Sequence, residues 1–163
     1  MSELIWEGEA DLNRPFFVIA LEGLFDAAGA ATNAVDRLVD SYQAKPLAHI
    51  EPEIFFNFQE ERPIVRINDG EREIVWPSNS IWAASCQNEN HDLVLLSGIE
   101  PHLRWKTFAD SLLEVARATN AEMVITVGAM AGMAPHTRAL GVVGSAADAA
   151  TADRLGLGRP TYE

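Results

Sequence analysis

The sequence predicts a three-layer α/β domain with a mostly parallel sheet and an antiparallel hairpin excursion. Three apolar runs, at residues 16–21, 92–97 and 123–127, have the length and composition of strands buried on both faces. Amphipathic helical patterns follow the first two runs. Two short β segments flank Asp69 and Gly70, which is typical of a hairpin. The alternation of strands and helices predicts the α/β class.

The first strand and helix come early in the chain. The run at 16–21 is followed by a helix predicted from Ala31 onwards, with Asp26 as its N-cap. The buried stripe of this helix recurs at helical spacing at Val35, Leu38, Val39 and Tyr42. Pro46 ends the helix, and residues 47–50 are predicted to form a second strand, which gives the strand, helix, strand order of a parallel unit.

The hairpin is predicted from segments 63–67 and 71–76. Its register can be derived by placing Asn68 opposite Glu71. This alignment pairs Arg66 with Glu73, Val65 with Ile74 and Ile64 with Val75. One charge pair and two apolar pairs then form together, so we expect an antiparallel insertion or extension of the sheet.

The second half of the chain resumes the parallel pattern. A strand at 92–97 ends at Gly98, a helix follows over about 104–119, and a strand at 123–127 ends at Gly128. The residues expected on the buried face of this helix are Trp105, Phe108, Leu112, Val115 and Ala116. Two further elements are predicted, a weaker strand at 138–143 and a helix at 146–155.

Composition narrows the class of protein. A chain of 163 residues with 48% hydrophobic residues is expected to form a single domain, residues 1–163. Because acidic residues outnumber basic ones by 24 to 12, the net charge of −12 argues against nucleic acid and anionic membranes as partners. The lone Cys86 provides no disulfide framework, and no apolar run is long enough to span a membrane. We therefore expect a cytoplasmic protein.

The usual catalytic signatures are missing from the sequence. It has only two lysines and no phosphate loop ending in Lys-Ser or Lys-Thr, and no Ser occupies a Gly-x-Ser-x-Gly elbow. The four histidines are scattered without zinc-type spacing, so we predict no metal and no cofactor. The catalytic residues stay unassigned, and the sequence leans against an enzyme.

The candidate ligand-binding residues follow from the predicted topology. Each of three buried strands ends in a glycine, and in such sheets ligands bind beyond the carboxyl ends of the strands. The polar side chains in these loops are Asp26, Glu100, Arg104, His136 and Arg138. Each also has a structural interpretation: a helix cap for Asp26, a helix-start ion pair for Glu100 and Arg104 with Pro101 opening the helix, and a turn for His136 and Arg138.

Four segments resemble the bacterial branch of the PAC2 family, the proteasome assembly chaperone 2 relatives. In chain order they read LEGLFDAAGAAT at 21–32, FQEERP at 58–63, GIEPHLRW at 98–105 and PHTR at 135–138. The resemblance implies a phosphorylase/hydrolase-like α/β fold and self-association, with a trimer among the expected forms. It implies no settled activity for the bacterial members.

The sequence departs from the family at some positions. Leu24 and Ala28 stand where relatives often have Trp and Gly, and Gly132 and Met133 replace a more polar pair. Relatives continue beyond the segment that resembles 159–163. The chain therefore resembles an N-terminal portion of a family member, and we expect it to lack late elements of the domain.

Three hypotheses for the function follow. The first is a non-enzymatic protein-interaction or assembly-chaperone-like oligomer, with a homo-oligomer and a protein partner expected. The alternative is a small-molecule binder or enzyme, with a nucleoside-phosphorylase-like or hydrolase-like pocket at the carboxyl ends of the strands. The third is an oligomeric scaffold. The alternative rests on analogy at the level of the fold and on the loop positions.

Overall fold

A computed structural model describes residues 3–86, 90–133, 135, 137–139 and 141–157. The chain forms two compact units, divided between Ala131 and Gly132. In the first unit the strands are β1 (Leu4–Trp6), β2 (Phe16–Glu22), β3 (Lys45–Ile50), β4 (Ile64–Asn68), β5 (Glu71–Val75), β6 (Asn79–Ala84), β7 (Leu93–Ile99) and β8 (Met123–Thr126). Its helices are α1 (Ala30–Ser41) and α2 (Trp105–Ala118). The second unit contains α3 (Ala149–Leu155).

The main sheet has six strands in the order β1-β3-β6-β7-β2-β8. Parallel pairing joins β7 to β2 and β2 to β8, whereas β1, β3, β6 and β7 pair antiparallel in succession. Four of the six strands, β3, β7, β2 and β8, therefore run in the same direction. The predicted α/β class is confirmed. The strand after α1 runs parallel to β2, but β6 and β7 separate the two.

The two helices of the first unit pack against opposite faces of this sheet. Successive side chains along a strand point to opposite faces of the sheet. On one face, Val18 and Leu95 pack with Val35 of α1. The other face packs Phe17 with Phe108 of α2 and with Phe55. The rings of Phe55 and Phe108 meet edge to face at 5.5 Å. Helix, sheet and helix thus enclose two apolar clusters, and adjacent strands β2 and β7 contribute to both.

The hairpin has the predicted register. Asn68 lies opposite Glu71, and the pairs Arg66 with Glu73, Val65 with Ile74 and Ile64 with Val75 all form. Strands β4 and β5 make a separate two-stranded sheet, so the hairpin is an insertion and does not extend the main sheet.

Several local predictions were wrong. Gly98 lies inside β7 and does not end it, and Trp105 is 52% exposed where burial was expected. Helix α2 begins four residues after Pro101, so this proline does not open it. The third run forms an edge strand, β8, in which Val124 is 47% exposed. The described residues within 138–143 form no strand, and Val142 and Val143 are almost fully exposed.

Two strands were missed by the sequence analysis. Strand β1 has only three residues, too few to show periodicity. Strand β6 follows Pro77 and mixes buried Asn79 with half-buried Ser80 and Trp82, so its apolar run is short. Helix α3 lies within the predicted range, capped by the Asp148 carboxylate, which accepts from the backbone N–H of Thr151 at 2.8 Å. Among the described residues, no helix is long and apolar enough to cross a membrane.

An interlock between β6 and β7 explains why residue 98 is a glycine. The side chain of Asn79 is fully buried, and its Oδ1 accepts a hydrogen bond from the backbone N–H of Ile99 at 2.7 Å. A Cβ on Gly98 would collide with this amide oxygen. Because Gly98 has no side chain, the side-chain amide of Asn79 can lie across β7 and accept from the backbone N–H of Ile99.

Gly98→Ala is expected to lower the free energy of unfolding by about 3 kcal/mol, because the clash displaces the amide and leaves the part-buried N–H of Ile99 without its acceptor. Asn79→Ala removes the obstacle. The double variant should therefore cost less than the two single variants added together. Urea unfolding of all four proteins measures this coupling, and strictly additive costs would contradict the interlock.

Candidate functional site

The carboxyl ends of β2 and β7 form the point at which the connections of the sheet diverge. These adjacent parallel strands lead to α1 on one face and to α2 on the other. Neighbouring strands whose connections leave on opposite faces open a crevice at their carboxyl ends, which is where α/β sheets bind ligands. The topology therefore places the candidate site at Glu22 and Ile99.

A polar cleft of about 410 Å³ occupies this position on the α1 side. Carboxylates of Glu22, Asp26 and Asp36 line it together with the hydroxyls of Thr32 and Ser97. Its volume falls within the range of small-molecule sites. None of the described residues that line the cleft is basic, so its charge favours a cationic or hydroxyl-rich ligand over a phosphate.

Asp26 is a buried carboxylate that caps α1 from outside the helix. Its Oδ1 accepts from the backbone N–H of Ala31 at 2.7 Å and of Thr32 at 3.3 Å, and its Oδ2 accepts from the Thr32 hydroxyl. A short 3-10 turn separates Asp26 from the helix, with Ala28 and Gly29 both left-handed at φ 57° and 67°. The prediction that Asp26 is the N-cap residue of α1 was wrong, because Gly29 occupies that position, but the Asp26 carboxylate still accepts from the first turn of the helix.

Hydrogen bonding keeps Asp26 ionised. Burial by itself raises the pKa of this carboxyl, but the bonds from the Thr32 hydroxyl and from two backbone N–H groups outweigh burial and hold the pKa below its ordinary value. Both carboxylate oxygens are thus committed to the start of α1. Asp26 shapes the wall of the cleft and has little remaining capacity for a ligand.

Glu100 lies beside the loop that contains Asp26 and fastens this loop to β7. Its backbone N–H donates to the carbonyl of Glu22 at 2.9 Å, and its Oε2 accepts from the backbone N–H of Leu24 at 3.5 Å. The carboxylate passes so close over Gly23 that a side chain there would collide with it. Gly23 is therefore required for this approach.

The remaining predicted site residues, Arg104, His136 and Arg138, are not shown to lie beside Asp26 and Glu100. Arg104 is exposed in a left-handed conformation before α2, and its guanidinium takes part in none of the ion pairs found among the described residues, so the expected pair with Glu100 does not form. Arg138 is exposed in the second unit, where its N–H donates to the carbonyl of Pro135. His136 lies outside the described residues.

Four cleft residues, supplied by α1 and β7, were not predicted from the sequence. These residues are Thr32, Asn33, Asp36 and Ser97. Thr32, Asn33 and Asp36 lie on the polar side of the first turns of α1. Their helical spacing after Asp26 was the pattern in the sequence from which they could have been predicted. Within the described residues, no three His, Cys, Asp or Glu side chains are grouped so as to hold a metal ion.

A mixed sheet with a helix on each face and a polar crevice where its connections diverge defines an α/β protein with a candidate cleft at the carboxyl ends of its strands. The chain belongs to the PAC2 family, whose model matches residues 20–163, so the resemblance seen in the four segments is confirmed. No curated protein matches the chain.

Solved structures support the same assignment. The chain is 36% identical to a PAC2 family protein from Streptomyces avermitilis, with a TM-score of 0.86, and the match covers 91% of this chain and 64% of that one. It is 40% identical to the proteasome-assembly chaperone homologue Rv2125 from Mycobacterium tuberculosis, with a TM-score of 0.81, and the match covers 91% of this chain and 63% of that one. The chain thus spans less than two thirds of either relative.

A more distant structure shows the fold alone. It is a protein of unknown function from Corynebacterium glutamicum, 23% identical with a TM-score of 0.72. The match covers 85% of this chain and 54% of that one.

Asp26→Ala should lower the free energy of unfolding at neutral pH by about 1–2 kcal/mol, since it removes the acceptor for the first turn of α1. Because the folded-state pKa is lowered, the contribution is fully present above the ordinary pKa of about 3.9 and is lost as pH falls through the folded value. The difference in the free energy of unfolding between the wild type and Asp26→Ala should therefore become smaller in acid.

Urea titrations from pH 7 down to pH 3 measure this change. The control is Asp40→Ala, which removes an exposed carboxylate from the far end of the same helix and should cost little at any pH. A pH-independent deficit for Asp26→Ala would contradict the ionised cap.

Proposed function

We propose that the chain is a non-enzymatic, assembly-chaperone-like protein that binds protein partners and further copies of itself. Support comes from its PAC2 membership and from its 40% identity to a protein described as a proteasome-assembly chaperone homologue. The observation that carries the proposal is an apolar surface at the carboxyl edge of the sheet, formed by Leu24, Phe25 and Met130 and called here the edge patch. Their exposed fractions are 81%, 50% and 75%.

The edge patch is held on a fixed backbone. The N–H of Ala27 donates to the carbonyl of Ala129 at 3.0 Å, and the N–H of Ala129 donates to the carbonyl of Phe25 at 2.7 Å. These bonds join the loop after β2 to the loop after β8. A preorganised backbone spares the entropy cost of ordering the two loops on binding, which favours protein recognition.

Charge next to the edge patch indicates the kind of partner surface it fits. Glu22 is exposed at the end of β2, and the Glu100 carboxylate contacts the Leu24 backbone. A protein surface with an apolar centre and a basic rim would complement this arrangement.

The wild-type chain is expected to bind unassembled proteasome subunits and to accelerate their assembly into rings. Leu24→Glu should weaken this binding at least ~10-fold, because it places a charge in the apolar centre. Native gels and size-exclusion chromatography of timed mixtures report both complex formation and assembly rate.

Leu113→Glu is the matched control, since Leu113 is 46% exposed on α2 and lies outside the edge patch. It should behave like wild type. An unchanged assembly rate with no complex formed would refute the proposed role, and equal loss for both variants would refute the edge patch as its site.

The second candidate function is binding of a small polar molecule in the cleft between β2 and α1. The observation that favours it is the position of a polar cavity of about 410 Å³ where the connections of the sheet diverge. The carboxylates of Glu22 and Asp36 and the hydroxyl of Ser97 suit a nucleoside or another hydroxyl-rich ligand without a phosphate. If the cleft also catalysed a reaction, it would be a pocket of the nucleoside-phosphorylase or hydrolase type.

Nucleosides and amine-bearing sugars are expected to raise the melting temperature of the chain in a thermal-shift screen. Asn33→Trp fills the mouth of the cleft and should abolish the shift. Arg37→Trp places the same side chain one turn further along α1 and should retain it. If no such compound shifts the melting temperature, or if both variants respond alike, the cleft is not the ligand site.

A further inference from the structure

The hairpin of β4 and β5 carries an uncovered apolar face. Cross-strand partners share a face, so Val65 and Ile74 lie on the same side as Ile67 and its partner Arg72. The three aliphatic side chains are 65%, 60% and 71% exposed in that order. A lone two-stranded hairpin is marginally stable in water, and a clustered apolar surface of this kind marks an interface.

A groove at the base of the hairpin has complementary chemistry. It encloses about 480 Å³, with an apolar wall formed by Pro52, Phe58, Trp76 and Pro77. The Phe58 and Trp76 rings meet edge to face at 4.9 Å. Glu51 and Glu53 add two carboxylates to its lining. The groove thus offers aromatic contact area beside negative charge.

The segment that forms one side of the groove is anchored to the rest of the first unit through His102. The backbone N–H groups of His102 and Leu103 donate to the carbonyl of Phe55 at 2.9 and 3.0 Å. The N–H of Asn57 donates to Nδ1 of His102 at 3.0 Å. With Phe55 fully buried, the groove is preformed, and an occupant does not have to order it.

The turn end of the apolar hairpin face does not reach the groove of its own chain. Three residues, Glu73 to Val75, separate Arg72 from Trp76, and four steps of extended chain keep their Cα atoms about 13 Å apart. The groove lies at the base, whereas Arg72 and Ile67 lie near the turn. Ile67 and Arg72 are therefore placed to contact a groove that belongs to another molecule.

We propose that the groove of one chain takes the apolar hairpin face of a second copy, which deepens the self-association in the proposed function. Val65, Ile67 and Ile74 would pack on the groove's aromatic wall, and Arg72 would face Glu51 and Glu53. Copies with a net charge of −12 repel one another, so a local cation of this kind favours a stable contact. Because hairpin and groove are different surfaces, a reciprocal pair or a closed ring satisfies every copy.

Charge reversal tests the proposed contact. Light scattering over a micromolar concentration series should show self-association of the wild-type chain. Arg72→Glu should weaken it at least ~10-fold, and so should Glu51→Arg combined with Glu53→Arg. Arg66→Glu is the control, since Arg66 pairs with Glu73 on the opposite face of the hairpin and should leave association intact.

Mixing the two defective proteins gives the sharpest result. The carboxylate that Arg72→Glu introduces on the hairpin of the first protein then faces the basic groove of the second. The second protein keeps its own Arg72 for the acidic groove of the first. Association should therefore return in the mixture and be absent from either protein alone.

Three outcomes would overturn the proposal: a wild-type chain that stays monomeric, loss of association with Arg66→Glu but not with Arg72→Glu, or no recovery on mixing. A monomeric wild-type chain would also remove self-association from the proposed function, but none of the three outcomes affects the edge patch or the assembly assay, because Leu24 and Phe25 lie outside the hairpin and groove. Failure of this contact is thus distinguishable from failure of the proposed assembly role.

Discussion

The parallel pairing of β2 with β7 is the interaction on which the rest of the first unit depends. It joins seven residue pairs, from Phe16 with Leu93 to Glu22 with Ile99. Residues of both strands alternate between the two apolar clusters, so each helix packs on the same pair of strands from its own side. The crevice at their carboxyl ends follows from this arrangement. At this end Gly23 and Gly98 have no side chain, so the side chains of Glu100 and Asn79 can approach the backbone.

Two kinds of surface project from this core, and they differ in how the backbone supports them. The edge patch lies on loops joined by backbone hydrogen bonds, and Asp26 and Glu100 hold the first of these loops against α1 and β7. The hairpin has its own ladder, but residues 64–74 are all exposed. The edge patch is therefore preorganised for a partner, whereas the hairpin gains further stability when its apolar face is covered.

Sequence reasoning succeeded where short-range physics decides the structure. The Asp69-Gly70 turn fixed the hairpin register, and the spacing of Val35 predicted the buried side of α1. It failed where long-range pairing decides. Strand β6 lies between β3 and β7, and nothing local to Asn79 indicates that its amide crosses Gly98. For the site, the cap by Asp26 was predictable from its position before a helix, but Ser97 becomes a cleft residue only through the pairing of β7 with β2.

Hydrogen exchange resolved to single amides, at low and high protein concentration, tests the account most directly. The amides of β2 and β7 should exchange slowest at both concentrations, because they form the central ladder. Hairpin amides should exchange quickly in dilute protein and become protected when copies associate. Hairpin protection equal to that of β2 in the dilute protein, or a β2–β7 ladder that opens before the hairpin does, would contradict the account.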